Sequence, residues 1–292
     1  MNNFSLSVVM ITYGHEKYIR EAIEGVLMQN CNFEIELIIA DDCSPDDTES
    51  VVQNIIKSHP NGNIIKYIKH QKNKGMMANF NFAIKAATGK YIALCEGDDY
   101  WIDPLKLQKQ VNFLETNIDY IMTCHGIKEL KNDTLKDVDW RFDKTRLKFR
   151  LQDYLYQLFF HTSSVVFRNI ELPEYINSTK ILNGDYAVFS YILTKGKLYY
   201  FNESMSVYRM HLGGVTNSPL HKEGIKVFES KKYIFEHLNA ITKFKYNKFI
   251  KLNFVIENQI LLMNLRKNRY SINRFKYWFY KLQYKFLLIF EK

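Results

Sequence analysis

Two acidic pairs, Asp41-Asp42 and Asp98-Asp99, are the residues of this chain best suited to chemistry. Each follows a strand-like run, Glu36–Ala40 in the first case and Tyr91–Cys95 in the second. Carboxylates are hard oxygen donors that suit Mg²⁺ or Mn²⁺, ions commonly shared with substrate phosphates. Such an ion would neutralise a diphosphate leaving group as charge develops on it. Gly97, beside the second pair, would let backbone approach a phosphate. Taken singly, each pair reads equally as a turn or helix-entry acid, where Asp is common. The chain has no G-x-G-x-x-G after its first strand and no G-x-x-x-x-G-K-[ST], so neither the dinucleotide fingerprint nor a P-loop is present.

The elements that must position these pairs can be read from periodicity. Leu6–Ile11 is rich in β-branched residues and reads as a buried strand. Ile19, Ala22, Ile23, Val26 and Leu27 then give the stripe of an amphipathic helix. Glu36–Ala40, Ile64–Lys69 and Tyr91–Cys95 read as further strands. Between them, Ser44-Pro45-Asp46-Asp47 opens one helix, and a second runs from Met77 to Ala87, with Gly89 as its C′ residue. Asp103-Pro104 reads as N-cap and N1 of the next. This β-α-β-α-β-α-β order predicts an α/β fold, a mainly parallel sheet with helices on both faces. Ligands bind such sheets outside the carboxyl ends of the strands, where both acidic pairs fall. Their coincidence at one edge favours the ligand-binding reading. Tyr120–Cys124, Thr162–Phe167, Leu198–Phe201 and Met205–Met210 are expected strands, and Asp185–Leu193 an expected helix.

Composition narrows the class. The chain has 292 residues, 47% hydrophobic and 24% charged, so it can bury a core and is not a disordered tail. Its four cysteines are scattered, without a C-x-x-C pair, which argues against a zinc ribbon or a disulfide scaffold and for a reducing cytosol. No apolar run approaches a membrane span, and the first ten residues lack the pattern of a signal peptide. Charge is uneven: of a net +9, residues 221–292 hold 16 Lys/Arg against 5 Asp/Glu. Within 270–292, Ile272, Phe275, Phe279, Leu282 and Phe286 recur at helical spacing, with Arg274, Lys276, Lys281 and Lys285 interleaved and Trp278 nearby. That mix suits a helix lying on an anionic membrane surface, and equally a helix packed on the rest of the protein. No nucleic-acid motif is present, and no nucleic-acid partner is expected.

Several ordered motifs resemble family 2 glycosyltransferases of the GT-A fold. Leu6-Ser7-Val8-Val9-Met10-Ile11-Thr12-Tyr13-Gly14 is similar to their first strand and nucleotide loop. Glu36-Leu37-Ile38-Ile39-Ala40-Asp41-Asp42 is similar to their second strand and aspartate motif. Asn73-Lys74-Gly75, Asn79-Phe80-Asn81-Phe82-Ala83 and Ala87-Thr88-Gly89-Lys90-Tyr91-Ile92 match the next loop, helix and strand. Glu96-Gly97-Asp98-Asp99-Tyr100-Trp101 resembles the D-x-D region of a bacterial branch. The basic residue often found in the third-loop helix is replaced by Phe80, which leaves more phosphate charge to Lys74 or a metal.

The resemblance implies a GT-A catalytic domain over 1–220, with a nucleotide-sugar half to about 125 and an acceptor half beyond, followed by a helical extension over 221–292. It implies that Thr12, Tyr13, Asp42, Lys74, Asn81, Asp98 and Arg209 bind the nucleotide-sugar. Asp99 and His211 would hold Mg²⁺ or Mn²⁺, and Asp185 would be the catalytic base. The expected activity is inverting transfer from a nucleotide-diphosphate sugar, UDP-linked by expectation, to a glycan or lipid-linked hydroxyl in bacterial surface polysaccharide synthesis. The expected place is the cytoplasm, at or near the inner face of the membrane. A nucleotidylyltransferase is the rival enzyme, but the first loop, Thr12-Tyr13-Gly14-His15-Glu16-Lys17, has one glycine and an acid where a triphosphate would need a glycine-rich basic loop. A non-enzymatic nucleotide or nucleic-acid binding protein is the other rival.

Overall fold

The computed structural model describes residues 5–141, 143–211, 213–214 and 224–265, and then 275, 278–279, 281–283 and 285–286. The chain forms two compact units. The first comprises Met1–Lys148, Phe159–Glu171 and Gly196–His211; the second comprises Phe149–Leu158, Leu172–Lys195 and Leu212–Lys292.

The first unit is built on a mixed, mainly parallel sheet. Its strands are β1 (Leu6–Thr12), β2 (Ile35–Asp41), β3 (Ile65–Lys69), β4 (Tyr91–Leu94), β5 (Tyr100–Trp101), β6 (Tyr120–Lys131), β7 (Thr134–Val138), β9 (Val166–Arg168) and β10 (Lys197–Met210), with a two-residue β8 (Lys148–Phe149) at its boundary. Their spatial order is β3-β2-β1-β4-β9-β6-β10-β5, with β7 alongside β6. β1 pairs in parallel with β2 and β4, β2 with β3, and β6 with β10. β9 runs antiparallel to both β4 and β6. β1 and β2 are buried on both faces, which explains their near-continuous apolar runs.

Helices cover both faces. Leu6, Val8, Met10, Leu37, Ile39, Tyr91 and Ala93 share one cluster with the apolar stripes of α1 (Ile19–Leu27), α2 (Thr48–Ser58) and α4 (Lys106–Thr116). α3 (Met76–Ala86), which returns the chain from β3 to β4, lies against β1 and β2 with Phe80, Ala83 and Ile84 outside that cluster. Gly25 lets α1 approach β5: a Cβ there would lie 2.8 Å from the Trp101 nitrogen. At the amino ends of the strands, the buried Glu36 carboxylate accepts from Ser7 Oγ at 2.5 Å, Lys66 Nζ at 2.5 Å and Thr88 Oγ1 at 2.7 Å. Burial alone would raise the Glu36 pKa, but hydrogen bonds from Lys66, Ser7 and Thr88 outweigh it and hold the carboxyl below its ordinary range.

Three local expectations change and a fourth is refined. Gly89 is not a helix cap: α3 ends at Ala86 with Ala87 extended, and Gly89 instead abuts Ser7, whose nitrogen a Cβ would meet at 2.5 Å. α4 is assigned from Lys106, and the Asp103 carboxylate accepts the Leu105 N–H at 2.8 Å in the turn that leads into it, the bond an N-cap side chain makes. The two expected strands over 198–210 are one strand, β10, with register shifts against β6 between Phe201 and Ser206. β6 continues to Lys131 and returns as β7 through Asn132 and Asp133, both at positive φ, a two-residue hairpin turn.

The second unit is helical: α5 (Leu151–Tyr156), α6 (Gly184–Ile192), α7 (Gly224–Ile241) and α8 (Asn247–Leu265). Ile234, Phe235, Leu238, Phe249, Ile250 and Ile256 are buried. Tyr154 stacks on Tyr186 at 5.3 Å, and Lys231 pairs with Glu257 at 2.6 Å. No helix among the described residues is long and apolar enough to cross a membrane. In the tail, Phe275, Trp278, Phe279, Leu282 and Phe286 are helical and exposed. Ile272, Arg274 and Lys276 lie outside the described residues.

Candidate active site

The site is assembled where β1, β2 and β4 end. The loop after β1 is tied to the loop after β2 by Gly14 N–H to Ser44 Oγ (3.0 Å), His15 N–H to Thr48 Oγ1 (3.0 Å) and Glu16 N–H to Asp46 Oδ2 (3.0 Å). Thr12 is buried, and its carbonyl accepts the Asp42 N–H at 3.0 Å. Tyr13 beside it is half exposed. The two members of the first acidic pair have different partners. Asp41 accepts from Tyr67 Oη at 2.5 Å and from the Ser44 N–H at 2.8 Å. Asp42 instead reaches the loop before α3, accepting the Lys74 N–H at 2.7 Å and the Gly75 N–H at 2.9 Å. Gly75 sits at φ 86°, a conformation that favours glycine. The Lys74 ammonium lies 5.2 Å from the Phe82 ring centre. Asn81 is buried in α3; two residues earlier, Asn79 bonds the Ala40 carbonyl at 2.8 Å and His70 Nε2 at 3.0 Å.

The second acidic pair is gripped by β10. The Arg209 N–H donates to Asp99 Oδ1 at 2.9 Å, and its Nε donates to the Asp98 carbonyl at 3.0 Å. Its guanidinium then reaches Glu21 on α1 at 2.5 Å, flanked by the Tyr18 and Tyr100 rings at 4.9 and 5.0 Å. His211 Nε2 lies 3.0 Å from Asp98 Oδ2, with His15 Nε2 at 3.7 Å from the same oxygen. His211 thus stands beside Asp98, the neighbour of Asp99. Burial opposes ionisation of Asp98, but the His211 hydrogen bond and the nearby His15 hold its pKa down. Asp99 goes the other way: burial, then the charges of Asp98 and Glu96, push its carboxyl well up, against the pull of Arg209.

One residue at this edge had no signal in the sequence. His161 places Nδ1 3.4 Å from Asp99 Oδ2. It opens the turn Thr162–Ser164 that leads into β9. Because β9 is antiparallel to β4, its beginning lies at the edge where β4 ends. The turn is clamped from three elements: Trp101 Nε1 donates to the Ser163 carbonyl at 2.9 Å, Gln110 Nε2 to the Ser164 carbonyl at 2.9 Å, and Ser163 Oγ meets Ser206 Oγ at 3.1 Å. Burial pushes the His161 pKa down to about 4, so its ring is neutral at pH 7. Lys106, wholly buried over the Trp101 ring at 4.0 Å, bonds Gln110 Oε1 at 2.9 Å and so fixes which end of that amide faces the turn.

The donor set fits a divalent cation. Glu96, Asp99 and His161 each offer one ligand atom, all within 4.8 Å of one another. Two carboxylates and a neutral imidazole are established ligand types for such an ion. Asp185 lies in the second unit, in the first turn of α6 after Asn183.

Comparison with known proteins agrees with this architecture. The sequence model of glycosyl transferase family 2 matches residues 7–171. An uncharacterised protein of Mycobacterium tuberculosis is 36% identical over 214 residues, 73% of this chain and 61% of that protein. The chain thus spans less than two thirds of the length of that curated relative. The Escherichia coli UDP-Glc:alpha-D-GlcNAc-diphosphoundecaprenol beta-1,3-glucosyltransferase WfaP is 36% identical over 111 residues, 38% of this chain and 41% of WfaP. Among solved structures, Staphylococcus aureus TarS 1–349 in complex with UDP-GlcNAc superposes with a TM-score of 0.58 at 16% identity, covering 90% of this chain and 82% of that one. With the matched segment running through β1–β4 and into β9, and with that shared fold, the chain belongs to glycosyl transferase family 2 and has the GT-A fold.

Proposed function

We propose that the protein moves a sugar from a UDP-sugar to a hydroxyl of a glycan or lipid-linked acceptor, with inversion, in the synthesis of a bacterial surface polysaccharide. The observation that carries this reading is the Asp98-Asp99 pair at the carboxyl edge of the sheet, Asp99 buried and Asp98 partly so, held by Arg209 and His211. Support for the donor comes from the TarS complex, which holds UDP-GlcNAc, and for the acceptor class from WfaP, whose name includes a diphosphoundecaprenol-linked sugar.

In this reading Thr12, Tyr13, Asp42 and Asn81 bind the nucleoside end of the donor, and Asp98 binds the ribose. Lys74 and Arg209 meet the diphosphate, and His211 closes beside Asp98. Asp99 and His211 would hold Mg²⁺ or Mn²⁺, which would supply positive charge to the departing diphosphate. Asp185 accepts the proton of the acceptor hydroxyl as that oxygen bonds to the anomeric carbon. The bond from that carbon to the diphosphate oxygen breaks, and the nucleoside diphosphate leaves from the opposite face. A free Asp has a pKa of about 3.9, so a carboxylate base is available at neutral pH. The basic, aromatic tail over 270–292 brings the protein to an anionic membrane, where a lipid-linked acceptor resides.

The test is a panel of nucleotide-sugars with Mn²⁺ and a polyprenyl-diphosphate-linked sugar, read as UDP release and as product mass. Sugar transfer that Asp99→Ala abolishes is expected. Pyrophosphate release from a nucleoside triphosphate and a sugar phosphate would instead make the protein a nucleotidylyltransferase. No turnover, combined with a salt-sensitive nucleic-acid shift, would make it a binding protein.

A further inference from the structure

The turn between α7 and α8 carries an aromatic residue where the backbone disfavours one. α7 closes in a Schellman arrangement: the Lys243 N–H donates to the Ala240 carbonyl at 3.2 Å, and the Phe244 N–H to the Asn239 carbonyl at 2.8 Å. Lys243 and Phe244 stand at φ 49° and 61°, the left-handed region that glycine and asparagine occupy with least strain. An apolar residue in the position of Phe244 ordinarily folds back onto the last turns of the helix. Asn239 offers it no apolar surface there, and its amide is engaged with Asn247 Oδ1 at 3.1 Å. Phe244 is instead 64% exposed. The turn is not loose, because the Lys245 N–H donates to the Thr242 carbonyl and the Asn247 N–H to the Phe244 carbonyl, both at 3.1 Å. The charge around it is of one sign. Between Glu236 and Glu257 the chain has no acidic residue and four lysines, Lys243, Lys245, Lys248 and Lys251, all exposed.

We propose that the α7–α8 turn is an insertion point for an anionic lipid surface, with Phe244 entering the boundary between headgroups and acyl chains and the lysines meeting lipid phosphates. This goes beyond the proposed function, which assigns membrane contact to 270–292, and it does not depend on which sugar is moved. An exposed ring among ammonium groups matches a layer that is negative at its surface and apolar beneath. A stable protein partner needs a patch of about 800 Å² on each side, whereas a headgroup layer closes around a single side chain. The strain of an aromatic residue at positive φ is retained at the one place where the ring has no partner within the turn.

The experiment follows the full chain on vesicles of phosphatidylcholine, alone or with about one third phosphatidylglycerol, at low salt. Wild type should partition onto the anionic vesicles. Phe244→Asn should bind them ~10-fold more weakly, the loss of one inserted apolar side chain. Lys243→Gln combined with Lys245→Gln should lose about 5-fold for each lysine. Because asparagine suits φ 61°, the thermal midpoint of Phe244→Asn should equal or exceed that of wild type. In Phe244→Trp, the emission gained over wild type should shift to the blue on anionic vesicles and be quenched by lipids brominated in their acyl chains. The proposal is overturned by Phe244→Asn binding within twofold of wild type, by added emission that neither shifts nor is quenched, or by a full chain that ignores anionic vesicles. A Phe244→Asn midpoint well below wild type would make the ring structural and overturns it as well. Binding that responds to the lysines but not to Phe244 would be surface attraction without insertion, with the same consequence. Transfer to a soluble acceptor reads the proposed reaction separately: its absence from wild type would remove that reaction while leaving this contact standing.

Discussion

Asp42 receives the backbone N–H groups of Lys74 and Gly75 on separate oxygens, at 2.7 and 2.9 Å. A carboxylate expected to read a nucleotide base is therefore also the peg on which the loop before α3 hangs. Each oxygen retains a lone pair, so both tasks are compatible. They cannot, however, be separated by deleting the side chain.

Asp42→Ala should cost about 1.5–3 kcal/mol of stability, the worth of hydrogen bonds to a charged group. It should also loosen residues 72–76 and weaken UDP binding in the same variant. Hydrogen exchange over that loop and calorimetric titration with UDP check this. Weakened binding with an unchanged loop would restrict Asp42 to nucleotide recognition.

Asp185→Asn should retain donor binding and lose roughly 10²–10⁴-fold in turnover, the usual contribution of a general base. The amide keeps the shape of the side chain at the start of α6 but cannot take a proton. Turnover within threefold of wild type would move the base to another residue.

Lys106 gives a pH signature. Burial pushes its pKa down to about 7, whereas an unfolded lysine titrates near 10.4. Between those values the unfolded chain holds a proton that the folded chain has released, so stability should rise with pH across that window. Lys106→Met lacks this dependence. The stability of wild type relative to the variant should therefore grow by on the order of 1–4 kcal/mol from pH 7 to pH 10, measured by urea denaturation. Parallel curves for the two proteins would contradict it.

Gly25→Ala tests the contact between α1 and β5. Alanine favours a helix by about 1 kcal/mol over glycine. Here its Cβ would lie 2.8 Å from the nitrogen and 2.9 Å from the oxygen of Trp101, backbone atoms that cannot rotate away. A net loss of about 1–2 kcal/mol is expected, because overpacking outweighs propensity. An increased denaturation midpoint would show that the two elements separate at little cost.

For the tail, the full chain should co-sediment with vesicles containing anionic lipid at low salt, and poorly with neutral vesicles or at high salt. Deleting 270–292 should lower the bound fraction. If the full chain ignores anionic vesicles at low salt, the exposed Phe275, Trp278 and Leu282 have some other partner.

The parallel half of the fold was legible because its strands are buried on both faces and its helices carry clean apolar stripes, as in Leu6–Thr12 and Ile19–Leu27. Both acidic pairs could be placed at one edge by topology alone. His161 could not, since a strand pattern such as Val166–Arg168 carries no direction. Its antiparallel pairing with β4 is what brings the start of the strand to the edge where its neighbours end. The turn Asn132-Asp133 was readable in principle, as both residues tolerate positive φ, but the exposed, polar β7 after it lacks a hydrophobic alternation to announce a strand. Arg209 was expected near the diphosphate; its tether to Glu21, 188 positions away in sequence, depends on β10 lying beside β5 and on β5 lying beside α1.

The Glu36 cluster gives the opposite end of the strands a separate sensitivity. Its carboxyl titrates below the ordinary range, so the stability it contributes is complete at neutral pH and is lost as pH falls through that lowered value. Ser7, Lys66 and Thr88 satisfy it from within the protein. Acid thus loosens the molecule at the end of the strands away from both acidic pairs. A protein engineer could harden that end by substitution while leaving the residues of the candidate site untouched on the same strands.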